Sequence, residues 1–171
     1  VNAADYSAVE TLRDGRRVEI RAQRPADREA IAAAFRRSSP NTIYRRFFGA
    51  RTSFTETEVA FFLDLDFVNH VALVAELEKG GQKVVAGGGR YIVSEPGRAE
   101  VAFTVDDAHQ GLGIATRLMR HLVVIARDAG LKELVAEVLP ENAPMLRVFE
   151  RSGLAMTTRR ETGVVQVSLA L

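Results

Sequence analysis

The 171 residues predict an α/β domain, a mixed and mostly antiparallel sheet with helices packed against it. Three observations carry that prediction. Both ends of the chain alternate apolar and polar residues around turn signals, Asp14-Gly15 near the start and Thr162-Gly163 near the finish, as antiparallel hairpins do. At His70 the spacing changes from helical to strand-like. Further on, an apolar strand beginning at Glu100 delivers Gly111 and Gly113 to the start of a long amphipathic helix.

The elements follow in order. Residues 9–13 and 16–22 form the first hairpin. Pro25-Ala26-Asp27 starts a helix with Ile31, Ala34 and Phe35 as its buried stripe, ending near Ser38-Ser39-Pro40. Residues 41–49 read as a second short helix stopped by Gly49. Thr55-Glu56-Thr57-Glu58 caps a third, which carries Val59, Phe62 and Leu63 inward. Residues 71–77 and 84–93 are strands joined at Lys79-Gly80-Gly81-Gln82. Gly87-Gly88-Gly89 in the second implies a bulge or a close backbone approach. Pro96-Gly97 turns the chain into the Glu100 strand. Residues 112–129 form a helix with Leu118, Leu122, Ile125 and Ala126 as its stripe and Gly130 as its stop. Residues 134–138 read as a short apolar strand of the kind buried on both faces. Asn142-Ala143-Pro144 caps the last helix, through Leu146 and Phe149 to Gly153. Residues 154–160 and 164–171 close the chain as a hairpin. With no repeat, low-complexity segment or linker, residues 1–171 are expected to be a single domain.

Composition excludes several classes of function. Lys and Arg number 23 against 22 Asp and Glu, too even a balance to favour nucleic acid or an anionic membrane as partner. The absence of cysteine removes thiolate nucleophiles, thiolate metal ligands and disulfides, and fits a reducing cytoplasm. His70, His109 and His121 are scattered without carboxylates at ligand spacing, so no metal is expected. No apolar run approaches the roughly 20 residues of a spanning helix.

The strand–glycine–helix junction points to a phosphate. First-turn N–H groups have no partner inside a helix and sit at the positive end of its dipole. Gly111 and Gly113 leave room for a diphosphate to approach them.

At this junction Gln110-x-x-Gly113-x-Ala115 resembles the signature of the GNAT acyltransferase superfamily. Pro140-Glu141-Asn142-Ala143-Pro144-Met145-Leu146-Arg147-Val148-Phe149 through Gly153-Leu154, about thirty residues later, resembles that family's second motif. A narrower resemblance, to the catalytic domain of bacterial Pat-type protein lysine acetyltransferases, lies in Leu12-x-Asp14-Gly15-x-x-Val18-x-Ile20-Arg21 and Ser38-Ser39-Pro40-x-x-x-Tyr44-x-Arg46-Phe47-Phe48. The resemblance implies a GNAT fold, with the sheet splayed at its central strands. It implies acetyl-CoA as co-substrate, without a metal, and a protein substrate with a target lysine, an AMP-forming acyl-CoA synthetase such as acetyl-CoA synthetase. A GNAT enzyme for a small amine and a non-catalytic acyl-CoA-binding module stay open as alternatives, as does the oligomeric state.

The same resemblance implies a cofactor site. Gln110, Gly111, Leu112, Gly113, Ile114, Ala115 and Thr116 would hold the pyrophosphate. Phe103, Thr104 and Val105 would bind pantetheine as an added strand, with Met145 and Phe149 beside it. Asn142 would serve the pantetheine amides or cap its own helix. A lysine amine, with a pKa near 10.4, must lose a proton before it attacks. Glu100 stands where Pat-type domains place their catalytic glutamate, and its alternative role is a strand-end partner of Arg98 or Arg90. Phe149 occupies the position of the tyrosine that protonates the leaving thiolate in many GNAT enzymes, so no general acid is assigned; Tyr44 and Tyr91 are minor candidates. His109 and His121 are expected at the surface. Asp106 and Asp107 are expected at a helix-entry turn, where they could steer a cationic substrate. Arg36, Arg37, Arg45, Arg46 and Arg51 form a solvated basic face or dock an acidic protein surface. Phe47, Phe48, Phe61, Phe62 and Phe67 are expected in the core.

Overall fold

A short hairpin opens the chain in the computed structural model, which describes residues 1–37 and 63–171. Its strands β1 (Ser7–Thr11) and β2 (Arg17–Ala22) turn at Gly15, whose φ of 89° is open to glycine. Then come α1 (Arg28–Arg37), β3 (His70–Lys79), β4 (Gln82–Glu95), β5 (Arg98–Val105), α2 (Ile114–Asp128), β6 (Glu133–Val138), α3 (Ala143–Glu150), β7 (Ala155–Glu161) and β8 (Val164–Ala170). The helices expected at 41–49 and after Thr55 lie outside the described residues. So do Tyr44, Arg45, Arg46, Phe47, Phe48, Arg51, Phe61 and Phe62, and the side chains of Ala34, Phe35, Arg36 and Arg37.

The strands make one sheet in the order β1-β2-β3-β4-β5-β6-β8-β7. Every pairing is antiparallel except β5 with β6, as expected of a mixed sheet. The exception follows from connectivity, because α2 intervenes and a helical crossover returns the chain in the same direction. Period-two alternation sorts the side chains. Leu73 and Ala75 of β3, Tyr91 of β4, Val101 and Phe103 of β5 and Leu134 of β6 share one core with Leu118, Leu122, Ile125 and Ala126 of α2. Phe67 packs against that core as expected.

β6 departs from expectation. It is not buried on both faces: Leu134, Ala136 and Val138 are covered while Glu137 is exposed, so the strand alternates. The glycines of β4 fulfil both readings. Ala86 is bulged out between the pairs Ala75↔Gly87 and Glu76↔Val85. A Cβ on Gly87 would lie 2.7 Å from the Thr104 carbonyl oxygen, and one on Gly89 2.7 Å from the Phe103 ring.

One interruption in the sheet positions the site. β5 and β6 pair only at Arg98↔Glu133, Ala99↔Leu134 and Glu100↔Val135. Beyond Glu100, β5 stays with β4 as far as Val105↔Gly87, and β6 stays with β8 as far as Val138↔Val165. Each strand follows its other neighbour, so the sheet opens as a V with Glu100 and Val135 at its apex.

The sheet face opposite α2 carries charged residues around the buried Ala72 and Val74. Arg21 holds Asp27 through both carboxylate oxygens, at 2.8 and 2.7 Å, and Glu76 at 2.8 Å. Arg90 Nη1 lies 2.8 Å from His70 Nε2, and because a guanidinium only donates, that nitrogen carries no proton. Burial, and then the Arg90 charge, push the His70 imidazole down to about 4. This folded value lies below the unfolded value near 6.5, so the folded state is favoured at neutral pH. That preference is lost as pH falls from about 6.5 to 4, by on the order of 3 kcal/mol. Urea titrations at pH 7, 5 and 4 should show this loss in the wild type and a shallower one in His70→Gln. Equal slopes would sink the assignment.

Candidate functional site

The V of the sheet opens into a cavity of about 250 Å³. One wall is β5, from Val101 through Ala102, Phe103 and Thr104 to Val105; the other is Ala136, Glu137 and Val138 of β6. These facing stretches have no sheet partner on the cavity side; Gln110 Nε2 reaches the Val105 carbonyl at 3.3 Å, and the remaining unpaired main-chain groups are open to an extended ligand. Gly111, Gly113, Ile114, Ala115 and Thr116 close one end at the start of α2, and α3 contributes Pro144, Met145, Val148 and Phe149.

The start of α2 is built to expose donors. Gly113 is its N-cap at φ 84°, with no side chain to cap the first turn, and the first intrahelical bond is Arg117 N–H to the Gly113 carbonyl. The N–H groups of Ile114, Ala115 and Thr116 therefore have no helical partner. Arginine side chains hold the loop carbonyls. Arg117 Nη1 donates to Gly113 O at 3.1 Å, its Nη2 donates to Thr11 O at 2.8 Å, and Arg13 Nη1 reaches Gly111 O at 3.4 Å. With the carbonyls tied back to the β1–β2 hairpin, the peptide N–H groups turn the other way. A Cβ on Gly111 would meet open space, so the need for glycine there is its φ of 82° rather than crowding.

Of the residues expected in the site, Phe103, Thr104, Val105, Gln110, Gly111, Gly113, Ile114, Ala115, Thr116, Asn142, Met145 and Phe149 all line the cavity. Leu112 does not: its side chain is half-buried against the core, and its carbonyl faces Arg117. Asn142 caps α3, its Oδ1 accepting from Met145 N–H at 3.3 Å, which leaves its NH₂ as the end able to serve a ligand. Phe149 is 1% exposed, its ring centroid 6.2 Å from that of Phe103, so it is a packing wall. Burial pushes the Tyr91 phenol up to about 12, in the core and away from the cavity lining.

Glu100 stands at the apex, in the last paired register before the strands part. Its side chain is exposed on the face shared with Ala102 and Thr104, and it is not part of the cavity lining. The partners its alternative role requires make their hydrogen bonds elsewhere, although the Arg98 charge also interacts with Glu100. Arg98 binds Glu95 at 3.0 Å and Glu133 at 3.1 Å, and Arg90 bonds His70 and Gln23. Among the described residues no hydrogen bond or ion pair holds the Glu100 carboxylate.

Three expectations are corrected. His109 is not at the surface: it is 4% exposed, lines the cavity, and its Nδ1 lies 2.5 Å from Oδ1 of Asp106, itself 1% exposed. Asp106 is thus committed to this buried pair and unable to steer a substrate. His121 is half-buried between Tyr6 and Glu10, bonded to both. Contiguous spacing shows neither burial, because each depends on an element distant in sequence. Residues the sequence did not single out are Arg13, Arg147 and Arg151, which bring positive charge to the cavity lining, and Glu137, which brings negative charge to it. No group of histidines and carboxylates arranged for a metal occurs among the described residues.

Residues 38–154 match the acetyltransferase (GNAT) family. Acetyltransferase PA5475 of Pseudomonas aeruginosa is 37% identical over 127 residues, 74% of this chain and 68% of its own. Acetyltransferase Pat of Mycolicibacterium smegmatis is 31% identical over 160 residues, which make up 92% of this chain; the chain spans only 47% of the length of Pat. The crystal structure of the GNAT domain of S. lividans PAT superposes with a TM-score of 0.87 at 33% identity, covering 96% of this chain and 97% of that one.

Proposed function

The chain belongs to the acetyltransferase (GNAT) family and is an N-acetyltransferase; from that premise we propose that it transfers the acetyl group of acetyl-CoA to a lysine of a partner protein. The partner in this reading is an AMP-forming acyl-CoA synthetase such as acetyl-CoA synthetase, in the cytoplasm. The observation that carries the reading is the wedge between β5 and β6, which joins a free helix N-terminus at one end to a glutamate at its apex whose carboxylate no described residue holds by hydrogen bond or salt bridge.

The residues present fit the donor. The N–H groups of Ile114, Ala115 and Thr116 accommodate a pyrophosphate, and Arg13, Arg147 and Arg151 add charge for a further phosphate. Gly111 leaves space in front of the loop. The unpaired edge at Thr104 and Val105 takes main-chain hydrogen bonds from pantetheine, and Phe103 and Phe149 cover its apolar side. Acetyl-CoA supplies the acetyl group as a thioester, which a neutral amine displaces to leave an amide and the CoA thiol. Glu100 accepts the proton that the lysine must lose, directly or through a water. Charge developing on the carbonyl oxygen is stabilised by main-chain N–H groups of the β5 edge. A low-pKa thiol leaves without a dedicated acid, in keeping with Phe149 where a tyrosine would stand.

Similarity to the S. lividans PAT domain along nearly the whole chain supports a protein acceptor over a small amine. The test is thiol release from acetyl-CoA with purified acetyl-CoA synthetase as acceptor, followed by mass spectrometry of the product. Turnover with an acetylated lysine is the expected result. Turnover on spermidine but not on the synthetase would replace the acceptor. Acetyl-CoA binding without turnover on either would make the domain a binding module.

A further inference from the structure

Resting on the acetyl-transfer reading, we infer that Glu137 receives the acceptor's ammonium group before Glu100 deprotonates it, which makes the site selective for cationic amines. The register Glu100↔Val135 and the two-residue period of a strand place Glu137 on the same sheet face as Glu100, one step further into the opening. At about 3.3 Å per residue, it lies about 7 Å beyond Val135 along β6. Glu137 is exposed and lines the cavity, so its carboxylate is reached from the space in which the thioester is attacked.

The groups that would neutralise it are turned elsewhere. Glu137 stands opposite Gln166, and Gln166 opposite Arg159, in one row across β6, β8 and β7. Gln166 Nε2 donates to Glu161 at 3.0 Å, and the Arg159 guanidinium pairs with Glu161 as well. Glu161 takes both donors of the row, and Glu137 has no hydrogen bond or ion pair among the described residues. A strand-face carboxylate left in this way beside a cavity offers its acceptor oxygens to an incoming cation. Charge is also divided around the cavity. Arg13, bonded to the Gly111 carbonyl, puts positive charge beside the start of α2, and Glu137 puts negative charge on β6 two residues past the apex register. Like charge keeps an anionic donor group from Glu137 and a cationic acceptor from Arg13.

The experiment measures steady-state kinetics of wild type, Glu137→Gln, Glu137→Asp and Glu137→Lys with three acceptors: acetyl-CoA synthetase, Nα-acetyl-lysine amide and spermidine. For whichever acceptor the wild type uses, Glu137→Gln should raise acceptor KM by about tenfold, as loss of a charge-assisted hydrogen bond does. Glu137→Lys should raise it further, Glu137→Asp should recover part, and the KM for acetyl-CoA should stay within about twofold. The effect should shrink in high salt. Acceptor KM within twofold of wild type in both the Gln and Lys variants overturns this role while leaving acetyl transfer intact. So does a parallel rise in the KM for acetyl-CoA. Absence of turnover with all three acceptors overturns the acetyl-transfer reading and this role with it.

Discussion

Glu100→Gln is expected to lower kcat at pH 7 by about 10²-fold or more, the usual scale of a lost general base, while acetyl-CoA binds within about twofold of wild type. The glutamine keeps the shape of the side chain at an exposed strand position, so the pairings with Ile92 and Val135 that form the apex should survive. Only the proton acceptor is removed. A lysine amine with a pKa near 10.4 is almost wholly protonated at neutral pH, and no other described carboxylate stands in the apex register. The signature is in the pH profile. In the variant, kcat/KM should climb with pH towards about 10, as the amine deprotonates in solution, and the gap to wild type should narrow. Calorimetry with acetyl-CoA separates this from a folding or cofactor defect. Turnover at pH 7 within threefold of wild type would remove Glu100 from the role, and loss of acetyl-CoA affinity in step with kcat would reassign it to donor binding.

Local patterns made most of the fold legible. The Asp14-Gly15 turn, the glycines of β4, the stripe of α2 and the proline-capped α3 are each written within a few adjacent residues, and each is found. Most of the cavity lining was legible for the same reason, since Gln110 to Thr116 are contiguous and Asn142, Met145 and Phe149 lie along one short helix and its cap. What stayed hidden depends on long-range register. Arg13 reaches Gly111 across 98 residues, and His121 meets Glu10 across 111. The burial of the Asp106–His109 pair is set by the elements around it, and a three-residue spacing reads equally well as a solvated turn. In β6 four apolar residues out of six mask the alternation that exposes Glu137. That one residue puts a carboxylate in the β6 wall of the cavity.

Asp27→Ala is expected to destabilise the fold by about 3–5 kcal/mol, a large part of the stability of an ordinary domain. Arg21 is 3% exposed and Asp27 6% exposed, and the bidentate pair joins β2 to the turn that starts α1, with Glu76 of β3 as its third member. Removing the aspartate leaves a buried guanidinium whose Nε already lacks a partner and whose remaining bonds are to Glu76 and the Ala22 carbonyl, so its desolvation is only partly offset. Burial alone would push Asp27 up, but the Arg21 bonds and the Arg24 N–H outweigh it and hold the carboxyl below its ordinary value. A depressed folded value means that the stabilisation is present above the unfolded pKa near 3.9 and is lost as pH falls through the folded one. The acid limb of the wild-type stability curve should therefore flatten in the variant. Arg21→Met with Asp27→Leu removes both charges together and should recover most of the loss; Glu76, 15% exposed at its side chain with Lys83 at 3.9 Å, tolerates losing Arg21. Urea midpoints for the single and double variants decide the matter, because equal losses would mean that packing, not the buried charge, sets the cost. Arg21 and Glu76 share the sheet face of Glu100, so the double variant also asks what the cluster is for. Recovered stability with wild-type kcat makes it a fold device alone, whereas recovered stability with a reduced kcat ties the placement of α1 to the chemistry on that face.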